Sequence, residues 1–68
     1  MSRTTTKAAA TIRPGDEVVD ADGSTAIIAA GPTRSSRAPG RVSFLARRPD
    51  GRGVRFTVDD TERLEVRS

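Results

Sequence analysis

The sequence predicts an all-β domain of five short strands closed or nearly closed into a small barrel, and three observations carry that reading. The larger apolar side chains fall in short runs at alternate positions, as half-buried strands require. Clusters of Gly, Pro, Asp and Ser separate the runs and supply the turns. The chain has 68 residues, 34% of them hydrophobic, so its apolar surface is scarce. An open sheet of that size leaves one face wet and two edges bare, whereas closure turns one face of every strand into a common core.

Taken in order, residues 1–11 hold Thr, Ala and basic residues with no turn chemistry and no large apolar side chain, and read as a flexible basic tail. The domain is expected over residues 12–68. Pro14-Gly15 makes a turn into a first strand near 17–20, and Ala21-Asp22-Gly23-Ser24 makes the next. A second strand covers Thr25 to Ala30 and ends at Gly31-Pro32, because Pro has no N–H to give a ladder. Pro32 to Pro39 has no periodicity and is expected to be a loop. Arg41–Arg47 and Val54–Val58 alternate, and the Asp50-Gly51 pair between them predicts a tight hairpin, since Gly accepts the positive φ such a turn demands. Asp59-Asp60-Thr61-Glu62 fits a single 3₁₀ turn before a short last strand, Leu64–Arg67.

The alternation selects Val18, Ile28, Val42, Phe44, Val54, Phe56, Val58, Leu64 and Val66 as the core, with Ala26, Ala30 and Ala46 in its narrow places. Val19, Ile27 and Leu45 fall on the opposite parity and should be partly exposed, as a small apolar patch on adjoining strands.

Pro14-Gly15-Asp16-Glu17-Val18, a first loop, a strand, a longer second loop, a tight distal hairpin, one helical turn and a short closing strand follow one another in an order that resembles an SH3-like barrel over residues 12–67. The resemblance implies architecture only, because such barrels serve as KOW-type nucleic-acid domains, Tudor-like readers, peptide-binding SH3 domains and phage or plasmid assembly modules. A methyl-lysine cage and a groove for Pro-rich peptides both need aromatic walls. Phe44 and Phe56 are the only aromatic residues, and the core claims both.

The residue inventory points away from an enzyme. Cys, His, Tyr and Trp are absent and the single Lys lies in the tail, which removes thiol, imidazole and Schiff-base chemistry and any thiolate or imidazole metal site. Ser and Thr are plentiful, but a hydroxyl without a base is a poor nucleophile. Asp20-Ala21-Asp22-Gly23 lacks the later ligands of a calcium loop. No cofactor, metal or small-molecule substrate is expected. No apolar run reaches the roughly 20 residues of a membrane span, and the first residues are too polar for a signal segment. The expected location is cytoplasmic, with no membrane contact.

Charge placement is the informative feature. Residues 1–13 carry +3, 14–33 carry −4, 34–55 carry +6 and 56–68 carry −2. The basic middle holds Arg34, Arg37, Arg41, Arg47, Arg48, Arg52 and Arg55, opposed by Asp50 alone. A guanidinium matches a phosphate bidentately, so these seven arginines either hold a nucleic-acid backbone, which is the leading expectation, or solvate the barrel and pair with its acidic stretches. A duplex is preferred, because single-strand readout stacks bases on aromatic rings. The tail cations Arg3 and Lys7 could lie along the same backbone. The alternative is a protein-protein or homo-oligomeric assembly module that docks through a strand edge, the second loop or the apolar patch.

Overall fold

A computed structural model of the chain describes residues 4–67, which form six strands in one antiparallel sheet. The strands are β1 (Thr4–Ala8), β2 (Glu17–Val19), β3 (Thr25–Ser35), β4 (Ala38–Arg47), β5 (Gly53–Asp59) and β6 (Arg63–Arg67), with a 3₁₀ turn at Ala9–Thr11. Their order across the sheet is β1-β6-β2-β3-β4-β5.

Turn chemistry fixes the best-formed connections. At β4–β5, the Gly51 N–H donates to the Arg48 carbonyl and the Arg48 N–H to the Arg52 carbonyl, both at 2.8 Å. Pro49 and Asp50 take the central positions of a type I turn, and Gly51, at φ +90°, supplies the left-handed residue that completes a three-residue hairpin loop. The Asp50 carboxylate accepts the Arg52 N–H at 2.9 Å. The β2–β3 turn repeats this arrangement. Gly23 N–H donates to the Asp20 carbonyl and Asp20 N–H to the Ser24 carbonyl, while Asp22 Oδ1 accepts the Ser24 N–H. At Pro14-Gly15 the Asp16 N–H closes onto the Arg13 carbonyl, and the Asp16 carboxylate accepts the Arg13 N–H in return.

The expected closed five-stranded barrel is corrected to an open six-stranded sheet. Residues 4–8, expected as tail, pair with β6 from Thr4↔Arg67 to Ala8↔Arg63. β6 therefore has β2 on one side and β1 on the other, and the edge it would need to close against β5 is taken. Residues 9–11 are ordered as well: Ala9 and Ala10 N–H groups donate to the Glu62 and Asp60 carbonyls, and Ala9 is wholly buried. Residues 1–3 of the expected tail, Arg3 among them, and Ser68 lie outside the described residues. The 3₁₀ turn is also displaced. It precedes β2, and residues 59–62 form a simple turn closed by Glu62 N–H on the Asp59 carbonyl.

The expected end of a strand at Pro32 and the long loop to Pro39 are corrected too. β3 continues to Ser35 and returns through Ser36-Arg37 into β4. It can pass through Pro32 because its register against β4 shifts between Ile28 and Ala30 and again between Ala30 and Thr33. Each shift places an extra residue on β3, and a bulged segment tolerates a residue without an N–H while bending the strand. Gly31, at φ +116°, sits at that bend against the backbone of Ser43 and the ring of Phe44.

The bend lets the sheet fold its inner face onto itself, so that Val18, Ala26 and Val66 meet Ile28, Val42, Phe44 and Ala46 in one core. The alternation placed these seven correctly. Ala9 and Ile12, both at 0% exposure, close one end of the core and were not foreseen. Ala30 is exposed, contrary to expectation, because the bulge rotates it outward opposite Leu45. Val54, Phe56, Val58 and Leu64 pack against the core but remain half-buried, since they line the side on which the sheet stays open. No helix among the described residues is long and apolar enough to cross a membrane.

Candidate interaction surface

The strand that carries most of the basic residues also separates them. On β4, Val42, Phe44 and Ala46 face the core while Arg41, Leu45 and Arg47 face outward. Arg34, Arg37 and Arg41 lie toward the β3–β4 turn, and Arg47, Arg48, Arg52 and Arg55 toward the β4–β5 turn. Arg41 and Arg47 are six residues apart on one strand, which is about 20 Å. The seven arginines therefore form two groups.

Neighbouring carboxylates occupy part of each group. Arg34 meets Asp60 at 2.9 Å, Arg41 meets Asp59 at 3.3 Å, and Arg48 meets Asp20 at 3.3 Å. The Arg48 contact ties the two Asp-Gly turns together. Arg37 also has a partner. Among the described residues, the guanidiniums of Arg47, Arg52 and Arg55 have neither an ion pair nor a hydrogen bond. All three belong to the second group. The acidic stretches on either side of the basic middle thus act as its counterions within the fold.

Beside these free cations lies apolar surface. Ile27 is 52% exposed and Leu45 42%. Ile27 stands opposite Arg47, and Leu45 is two residues back along β4 on the same face, so the two are diagonal neighbours across the strand pair. Val19, expected beside them, is half-buried. Next to Ile27 runs a groove of about 530 Å³ whose floor is Thr25, Ile27, Ala29 and Pro49. Arg47 and Arg48 form one wall and Glu17 the other. Glu17 lies 4.0 Å from Arg67 and Arg48 is held by Asp20, which leaves Arg47 as the wall's unpaired charge. Arg55 stands opposite Leu45 at the far side of the patch.

Parity alone identified Ile27 and Leu45. The groove was not legible, because it depends on the β4–β5 turn that brings Pro49 beside Ile27 and Ala29. Among the described residues, no three carboxylates are grouped so as to hold a metal ion. The Asp22 carboxyl is held below the usual carboxylate range by the Ser24 N–H and then by the Ser24 hydroxyl. No protein-family model, curated protein or solved structure matches the chain.

Proposed function

We propose that this chain is a small non-catalytic binding module that takes an acidic, apolar-bearing segment of a protein partner on the outer face of β3 and β4. The observation that carries the reading is the adjacency of exposed Ile27 and Leu45 to Arg47, whose charge is unmatched within the fold. An apolar side chain of the partner would cover Ile27, Ala29 and Pro49, and a carboxylate would pair with Arg47. Desolvating that pair beside apolar surface makes it selective against neutral or basic segments. The carboxylates of the chain are spent on ion pairs and turns, or exposed, which supports a binding role over acid-base chemistry. The meander β2-β3-β4-β5 with β6 returning beside β2 keeps the connectivity of an SH3-like barrel and supports that kinship, with β1 as an added strand.

Selection of displayed peptides against the chain and against an Ile27→Asp, Arg47→Glu variant tests the reading. The chain is expected to enrich sequences in which Asp or Glu adjoins a large apolar residue, and the variant to lose them. Enrichment without that pattern, or retained by the variant, overturns it. The convergence of Arg47, Arg52 and Arg55 near one turn favours a second reading, in which a duplex backbone is held there. That reading requires salt-sensitive binding of duplex DNA or RNA that disappears when these three arginines become Ser.

A further inference from the structure

Among the described residues the sheet ends in two unpaired edges, β1 and β5, and they differ in how well they are protected. β1 has five residues, three of them Thr, and no large apolar side chain. β5 has seven residues, Gly53-Val54-Arg55-Phe56-Thr57-Val58-Asp59, and pairs with β4 in an unbroken register from Arg41↔Asp59 to Arg47↔Gly53. Natural edge strands are usually guarded by Pro, a bulge, an inward charge or a cover. β5 has no Pro, no bulge and no inward charge, and among the described residues no strand pairs with its outer side. Its inward residues Val54, Phe56 and Val58 stay half-buried, and Phe56 and Val58 border a cleft of about 380 Å³ that also touches Val18 and Leu64.

We propose that β5 pairs antiparallel with β5 of a second copy of this chain, joining two sheets across a two-fold axis centred on Thr57. The hydrogen-bond alternation selects which groups are available. Arg48 N–H donates to the Arg52 carbonyl at one end of the β4–β5 ladder, and Asp60 N–H to the Gly40 carbonyl at the other. Between them Ala46/Val54, Phe44/Phe56 and Val42/Val58 are the hydrogen-bonded pairs, so the backbone N–H groups of Arg55, Thr57 and Asp59 and the carbonyls of Arg55 and Thr57 point to the free edge. The Asp59 carbonyl already accepts from Glu62. The new ladder must therefore match odd residues with odd residues.

Charge then chooses among the registers that satisfy this condition. Centring on Arg55 sets like charges opposite each other, which is destabilising. Centring on Phe56 sets Arg55 opposite Thr57. Centring on Thr57 sets Arg55 opposite Asp59 at both ends of the outer face and Phe56 opposite Val58 at both places on the inner face. Opposite-charge and aromatic to β-branched pairs are both favourable across strands. Thr57 meets Thr57 on the axis and exchanges two backbone bonds, and each Asp59 N–H reaches an Arg55 carbonyl, giving about four bonds in all. Among the described residues Arg55 has no ion pair, and the partner's Asp59, whose Oδ1 is held by Arg41 of its own chain, supplies one through its second oxygen. The inner side chains of the second copy come to lie at the open side of the sheet, where Phe56 and Val58 are half-covered. This association goes beyond the binding face of β3 and β4, since it uses the outer edge of β5, two strands from Ile27.

Sedimentation velocity of the full chain over a concentration series tests it, with circular dichroism as the check on folding. The expected result is a concentration-dependent shift from 7.2 kDa to twice that mass. Thr57→Pro removes an edge N–H from each copy and should leave a folded monomer. Arg55→Glu should raise the dissociation constant at least about tenfold, since two favourable pairs become repulsive. Adding Asp59→Arg to that variant should restore part of the affinity, since the same change also sets a second cation beside Arg41. A chain that stays monomeric throughout overturns the proposal, as does a dimer unaffected by Thr57→Pro or by Arg55→Glu. A dimer that Arg55→Glu weakens and Asp59→Arg fails to restore even in part overturns the register.

Discussion

β4 has two neighbours, and the two pairings differ in kind. Against β5 it keeps one register over seven consecutive residue pairs and ends in a turn built from Pro49, Asp50 and Gly51. Against β3 it changes register three times and accommodates Gly31 and Pro32 within the strand. The regular side leaves β5 without a bulge and, among the described residues, with its outer edge unpaired. The irregular side bends β3, and Val18, Val66 and Phe44 share one core. A single sheet of this size acquires a core by concentrating its irregularity in one strand pair.

The largest effect should therefore come from the bend. A Cβ on Gly31 would lie 2.8 Å from the Ser43 carbonyl oxygen and 2.9 Å from Phe44 Cδ1, at a φ of +116°. The oxygen belongs to backbone and the ring is fully buried, so neither can retreat at low cost. Gly31→Ala should cost about 3 to 5 kcal/mol from overpacking and the left-handed backbone together. That is a large part of the stability of a domain this small. Urea titration followed by circular dichroism should show the folded baseline lost or nearly so. A midpoint within experimental scatter of the parent would mean that the bend is not what holds the two halves of the core together.

The same substitution at the regular turn should do much less. Gly51 also has a positive φ, +90°, but a Cβ there meets nothing within 4 Å. Gly51→Ala should cost about 1 to 2 kcal/mol, the backbone penalty alone. For a domain of this length that lowers the thermal midpoint by roughly 4 to 16 °C, measurable by calorimetry. If Gly51→Ala proves as damaging as Gly31→Ala, turn geometry and not close packing governs both sites.

This contrast also explains what the sequence made legible. Alternation from Arg41 to Arg47, broken only by Leu45, and strict alternation from Val54 to Val58, with Asp50-Gly51 between, encode a local hairpin, and each residue's face follows from its parity. Ile28 inward and Ile27 outward follow by the same logic. Alternation carries no information about an inserted residue, so Ala30 was placed inside and Pro32 read as a terminator, when the bulges reversed one and absorbed the other. The Thr-rich β1 has no apolar signal because its place depends on the free edge of β6, a feature of the whole fold. The arginines were visible as a basic block. Their division followed from pairing with Asp20, Asp59 and Asp60, which are distant in sequence and near in space.

The smallest expected effect concerns the β2–β3 turn, the counterpart of the Asp50-Gly51 turn on the regular side. Asp22 is fully exposed, and its carboxyl is held below the ordinary value first by the Ser24 N–H, then by the Ser24 hydroxyl, with a lesser contribution from the charge of Arg48. A carboxyl whose pKa is lower folded than unfolded stabilises the fold above its unfolded value, near about 4, and that contribution is lost as pH falls through the folded value. Asp22→Asn keeps an oxygen acceptor for Ser24 without the charge. Between pH 6 and pH 2, the urea midpoint of the parent chain should fall slightly further than that of Asp22→Asn, with the divergence confined to the region below about pH 4. Parallel curves would show that the oxygen's geometry, which Asn reproduces, is all the turn requires, and that its charge adds nothing to the regular side of the sheet.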